Sequence, residues 1–136
     1  MAEQIDVLVV EDETALAAST VEYLNLSQIK ARAVGSAEEA LAAVAKLDPR
    51  LVLLDVNLPG ASGFEFCRRL RKDRDTPVVF ISARTSEDDQ ILALTLGGDD
   101  YIVKPYSLAL LVAKVRRTLA RSASGSAGGR EAGVYD

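Results

Sequence analysis

An apolar run, Leu51-Val52-Leu53-Leu54, ends in Asp55 and gives way to the turn residues Val56-Asn57-Leu58-Pro59-Gly60. Four apolar residues bounded by turn signals read as a buried strand. A carboxylate is expensive at the end of such a strand unless something uses it. A second run, Ile5 to Val10, also ends in acid, at Glu11, Asp12 and Glu13. Another, Asp100 to Val103, ends in Lys104-Pro105, and Val78 to Ile81 ends in Ser82. Open α/β sheets bind their ligands beyond the carboxyl ends of the strands, where these acids, the ammonium and the hydroxyl all arrive. Clustered carboxylates repel, and a cation relieves them. A hard divalent ion with oxygen ligands does so, and Mg²⁺ is the usual one where a phosphoryl group shares the site. Asp55 then serves as a ligand, a general base or a nucleophile, and the spacing leaves the three open. As a nucleophile on phosphorus it forms an aspartyl phosphate. That reaction wants positive charge on the transferred oxygens, from the metal ion and Lys104, and a hydroxyl donor such as Ser82.

Each piece also has an ordinary explanation. An acid after a strand often caps the next helix, and Asp12 suits that role. A Lys-Pro pair often just ends a strand, and a lone Ser82 often sits in a turn. The weight lies in their joint arrival at the ends of strands one, three, four and five.

Five alternations of strand and helix pattern position these residues. The strands are Ile5 to Val10, Ile29 to Val34, Leu51 to Leu54, Val78 to Ile81 and Asp100 to Val103. Four are near-continuously apolar, as in a parallel sheet covered on both faces. The second alternates apolar with basic, Ile29-Lys30-Ala31-Arg32-Ala33-Val34, and so belongs at an edge. Ser36 with Glu39 and Ser62 with Glu65 form capping boxes, and Ser86 with Asp89 is a weaker variant. The last helix runs from about Ser107 to Arg121, just after Pro105. The expected fold is an α/β doubly wound, five-stranded parallel sheet of order 2-1-3-4-5 with five helices, flavodoxin-like. In that order strands one and three are neighbours, which brings Glu11, Asp12 and Asp55 together.

The 136 residues suit one domain, spanning 1–121, and 49% of them are hydrophobic. Ser122 to Gly129 is rich in Ser, Gly and Ala, so residues 122–136 read as a flexible linker or tail. Such a linker leads to the expectation that this chain is the N-terminal part of a longer protein; a plain disordered tail fits the composition equally. A net charge of −4 argues against nucleic acid as the direct partner of this domain. The single cysteine, Cys67, allows no internal disulfide and fits a reducing cytoplasm; its ordinary reading is a small core residue. No apolar stretch spans a membrane, and no signal-peptide pattern opens the chain. Histidine is absent, which removes histidine-based catalysis.

The sequence resembles the receiver domain of two-component response regulators, the CheY-like family, from Ile5 to Arg121. The resemblance rests on Val9-Val10-Glu11-Asp12-Glu13, on Leu53 to Gly60, on Ile81-Ser82-Ala83 and on Tyr101-Ile102-Val103-Lys104-Pro105-Tyr106. It implies that Asp55 accepts phosphate from a phosphohistidine on a sensor histidine kinase. It implies Mg²⁺ held by the Asp12 and Asp55 side chains and the backbone carbonyl of Asn57, with Glu11 acting through a metal-bound water. Lys104 pairs with the phosphoryl oxygens, Ser82 donates to one of them, and Tyr101 turns inward as Ser82 is drawn away. The Lys104–Pro105 peptide is expected to be cis. The only catalysis implied is the domain's own phosphotransfer and autodephosphorylation.

Within the family the chain is most similar to OmpR/PhoB-type regulators. These bind DNA through a separate domain and dimerise on activation through the fourth helix, fifth strand and fifth helix. The corresponding face here contains Ile91, Leu94, Leu110 and Val112, with Leu92 as an extension. Gln90 and Leu110 stand where an ion pair is usual, and Thr95 where an acid is usual. Asp100 is expected to meet Lys114 or Arg121. The alternative is a metal-dependent phosphohydrolase working through an aspartyl phosphate. Such enzymes want a second aspartate where Asn57 stands, and a cap domain for which this chain has no room. Intact Glu11, Asp12, Asp55, Ser82 and Lys104 argue against a receiver that has lost phosphorylation.

Overall fold

Val7-Leu8-Val9-Val10 is buried along its whole length, and so are Leu51 to Asp55 and Val78 to Ser82. Strands hidden on both sides are what continuous apolar runs with β-branched residues favour. The computed structural model describes residues 4–58, 62–83, 87–95 and 97–124. Its elements are β1 (Val7–Val10), α1 (Thr14–Leu26), β2 (Ala31–Val34), α2 (Ala37–Leu47), β3 (Leu51–Asp55), α3 (Gly63–Asp73), β4 (Val78–Ser82), α4 (Glu87–Thr95), β5 (Asp100–Val103) and α5 (Leu108–Ser124). The strands form one parallel sheet in the order β2-β1-β3-β4-β5. This is the expected doubly wound topology, with the basic-alternating strand at an edge.

Side chains alternate between two cores, as a period of two requires. Leu8, Val10, Val52, Leu54 and Phe80 pack with α2, α3 and Ala93 of α4. Val7, Val9, Leu53, Val79, Ile81 and Ile102 pack with Leu24 of α1 and with Leu111, Val115 and Leu119 of α5. Cys67 is buried in the first core, the ordinary place for a thiol, and burial pushes its pKa up.

The expected strand limits shift at their ends. Ile5 and Ile29 are buried but lie outside the ladders: their N–H groups bond the carbonyls of Leu47 and Leu24 at helix ends, at 3.2 and 2.9 Å. β3 and β4 each run one residue further and include Asp55 and Ser82. Ser36 and Ser62 are the N-caps of α2 and α3, each accepting from the N–H three residues on. The reciprocal half of the first box is displaced by one residue, because Glu39 accepts from Gly35 rather than Ser36. Ser86 and the side chain of Asp89 lie outside the described residues. α5 reaches Ser124, three residues into the stretch whose composition reads as linker.

Candidate functional site

The β1–β3 register pairs Val10 with Leu54, which sets the next residues, Glu11 and Asp55, side by side at the carboxyl edge. Both are buried, with 4% and 5% of their side chains exposed. Lys104 follows the last residue of β5, and its Nζ lies 2.9 Å from Glu11 Oε1 and 3.0 Å from Asp55 Oδ2. One ammonium therefore bridges two buried carboxylates. The remaining oxygen of each acid is held the same way. Glu11 Oε2 accepts the N–H of Glu13 at 3.1 Å, and Asp55 Oδ1 accepts that of Asn57 at 2.9 Å. A carboxylate bonding the backbone two residues on is a local turn motif, and it fixes both acids before any ligand arrives.

Burial pushes the Glu11 pKa up; its bonds to Lys104 and to the Glu13 N–H oppose this, neighbouring Asp55 adds to it, and the net shift is upward. Burial pulls Lys104 down, but Glu11 and Asp55 outweigh it and the ammonium titrates above its ordinary range.

Asp12 is exposed and does not cap α1: the N-cap is Glu13, with no side-chain cap bond. Its carboxylate joins those of Glu11 and Asp55 in a cluster offering one oxygen each, all within 4.8 Å of one another. Three hard oxygen donors, one of them open to solvent, fit a divalent ion such as Mg²⁺, which keeps several waters of its own.

Ser82 ends β4, one step beyond Ile81, the ladder partner of Asp55, and is fully buried. Its carbonyl accepts from the N–H of Lys104 at 2.8 Å. Tyr101 lies opposite Phe80 in the ladder, half-buried against the first core. The Lys104–Pro105 peptide is cis, as the resemblance implies. Beside the site opens a cavity of about 420 Å³ lined by Glu13, Leu16, Ala83, Lys104, Pro105 and Tyr106.

Away from the site, Ile91, Leu94 and Leu110 are at least half exposed, and Leu92 is 40% exposed. Val112 does not join them. It is 5% exposed and packs in the second core with Leu111 and Val115. The reason is helical geometry: residues two apart, such as Leu110 and Val112, point about 200° apart. Asp100 meets Lys114 at 3.0 Å, as expected, but its other oxygen meets Arg117, at 2.7 Å, rather than Arg121.

Two features of the site went unread in the sequence. Gly63 packs directly under Asp55, and its only signal was a poor helix former at the first position of α3. The hydroxyl of Tyr106 lies 2.9 Å from Thr20 Oγ1, a pairing of distant residues with no local signal.

The family model of the response regulator receiver domain matches residues 7–116. The sensory transduction protein RegX3 of Mycolicibacterium smegmatis is 41% identical over 130 residues, covering 96% of this chain and 57% of RegX3. The DNA-binding response regulator MtrA of Mycobacterium tuberculosis is 42% identical over 116 residues, covering 85% of this chain and 51% of MtrA. The chain thus spans about half the length of these curated relatives. Among solved structures, the BeF3-activated N-terminal receiver domain of Klebsiella pneumoniae RstA superposes with a TM-score of 0.80 at 32% identity, over 84% of this chain and 97% of that one.

Proposed function

We infer, for a chain that belongs to the response regulator receiver domain family, that Asp55 is its phosphoryl acceptor and a sensor histidine kinase the donor. One observation carries this reading: a single ammonium, Lys104, spans Glu11 and Asp55 at 2.9 and 3.0 Å. A nucleophilic carboxylate needs a neighbour that steadies negative charge without taking its place. In the transfer an Asp55 oxygen forms the bond to phosphorus, the P–N bond of the phosphoimidazole breaks, and the departing imidazole nitrogen takes a proton. Lys104 faces the oxygens of the transferred group, and the hydroxyl of Ser82 donates to one of them.

Mg²⁺ is the cofactor of this reading, supplying positive charge at the phosphoryl oxygens when bound. Asp12, Asp55 and the backbone carbonyl of Asn57 would hold it, and Glu11 would act through a water on the ion. The domain turns over no external substrate; it switches an output. MtrA is by description a DNA-binding response regulator, and transcription through a DNA-binding domain outside this chain is the output that likeness supports. Activation brings Tyr101 inward behind Ser82 and favours a homodimer through Ile91, Leu94 and Leu110. The setting is the cytoplasm; among the described residues no helix is long and apolar enough to cross a membrane.

The test is intact-mass spectrometry after incubation with phosphoramidate, with and without Mg²⁺. The expected result is one phosphoryl group added only with the metal ion, and none in Asp55→Asn. Full modification of Asp55→Asn rejects the acceptor assignment.

A further inference from the structure

Tyr106 stands two residues after Lys104, on the turn between β5 and α5 whose seating decides how far the ammonium reaches. The lysine stem is flexible, so Nζ settles between the two acids only while its backbone is held where the stem reaches both at once. That backbone is fastened on two sides. On one, the Lys104 N–H donates to the Ser82 carbonyl. On the other, the Tyr106 ring packs against the second core and its hydroxyl meets Thr20 Oγ1. Thr20 is fully buried on the inner stripe of α1, between Ala17 and Leu24. Packing alone would favour an apolar residue there, since a buried hydroxyl costs free energy unless it is bonded. Its partner lies 86 residues away in the chain.

α1 thereby secures both ends of the central ion pair. Glu13, at its N-cap, holds Glu11 through its N–H. Thr20, further along the same helix, holds the turn that carries Lys104. We propose that Thr20 is a positioning residue for the acceptor site: through Tyr106 it seats the β5–α5 turn against α1, and so keeps the Lys104 ammonium between Glu11 and Asp55. Thr20 touches no reacting atom. The inference rests on Asp55 being the acceptor.

The test compares Thr20→Val, Tyr106→Phe, their double variant and Thr20→Ser in the full chain. One readout is the rate of Asp55 phosphorylation by phosphoramidate with Mg²⁺. The second needs no metal ion: trace acylation of Lys104 by acetic anhydride, referenced to exposed Lys72. An ammonium held between two carboxylates acylates slowly. Misplacement by an ångström can cost about a hundredfold; a turn with one fastening left should cost about three- to tenfold. Each single variant is expected to lose that much rate and to gain a similar factor in Lys104 labelling, and Thr20→Ser to restore both. The double variant removes both polar partners, which restores stability in urea, yet its rate stays low and its labelling high.

A double variant that regains wild-type rate and labelling along with its stability overturns the inference, because the bond would then serve folding alone. So do single variants that match the wild type in both readouts, or Thr20→Ser failing to rescue. A wild-type chain that takes no phosphoryl group overturns the acceptor reading itself, and the inference with it.

Discussion

Gly63 opens α3 directly beneath Asp55: a Cβ built on it would lie 2.4 Å from the Asp55 carbonyl oxygen and 2.9 Å from the Val56 Cα. The Gly63 N–H donates to the Val56 carbonyl at 2.8 Å, so the two backbones are locked in contact. Any side chain here must push α3 away from the strand end that carries Asp55. Gly63→Ala is expected to destabilise the chain by about 2 kcal/mol, the scale of overpacking in a tight core, and to slow phosphorylation of Asp55. Urea unfolding and the phosphoramidate rate check the two effects. An alanine variant of wild-type stability would mean that the contact yields freely.

Lys104→Met tests the ion pair through its pH dependence. In the wild type the folded-state pKa of Lys104 lies above its ordinary 10.5. Its stabilisation is therefore complete below 10.5 and is lost as pH rises through the folded value. Glu11 is raised above 4.5, so the folded state loses stability as pH rises from there through its own titration. Removing the ammonium raises Glu11 further. The gap in unfolding free energy between wild type and variant should be small below pH 4.5, open towards neutrality and close again above 10.5. At neutral pH it should reach roughly 2 kcal/mol, below the 3–5 of a fully buried pair. The reduction follows from solvent screening, since 20% of the Lys104 side chain is exposed. Mg²⁺ should narrow the gap. Urea titrations across pH measure it, and a gap independent of pH would show that Lys104 acts by packing alone.

Ser82→Ala separates acceptance from switching. The variant should still bind Mg²⁺, but the beryllofluoride-activated population should fall, because two packings of the Tyr101 ring differ by only about a few kcal/mol. Amide and aromatic NMR shifts report both. Unchanged activation shifts and unchanged Tyr101 mobility would remove Ser82 from the switch.

Leu110→Glu tests the exposed apolar face. Ile91 and Leu94 are each 54% exposed and Leu110 50%, and burying one aliphatic side chain fully is worth about 1.5–3 kcal/mol. The activated wild type should dimerise in sedimentation, with only a modest weakening by salt, because screening acts on exposed charges. The variant should stay monomeric at the same concentration. Equal dimerisation of both would exclude this face.

The topology and the acid cluster were legible because they depend on local pattern. Val7 to Val10 and Leu51 to Leu54 announce buried parallel strands by composition alone, and strand-end acids follow. The Arg32 and Lys30 alternation placed β2 at the edge for the same reason. The unread features depend on tertiary contact. Gly63 is required by a backbone in another element, and Thr20 by a phenol beyond β5. Val112 is a different case: its separation of two residues from Leu110 already excluded a common helical face, and a face inferred by likeness overrode that geometry. Ile5 and Ile29 are core residues whose N–H groups bond carbonyls near the C-terminal ends of α2 and α1, and apolar runs do not distinguish burial from pairing.

The bridge from Lys104 to Asp55 joins residues 49 positions apart, at the ends of β5 and β3, two strands that β4 separates. Neither half of the pair is complete until β1, β3, β4 and β5 have all been laid side by side, a closure that local contacts cannot bring about early. A nascent or partly unfolded chain therefore carries Asp55 without its counter-charge. With Asp55 as the proposed acceptor, competence to take a phosphoryl group is then expected to report finished folding.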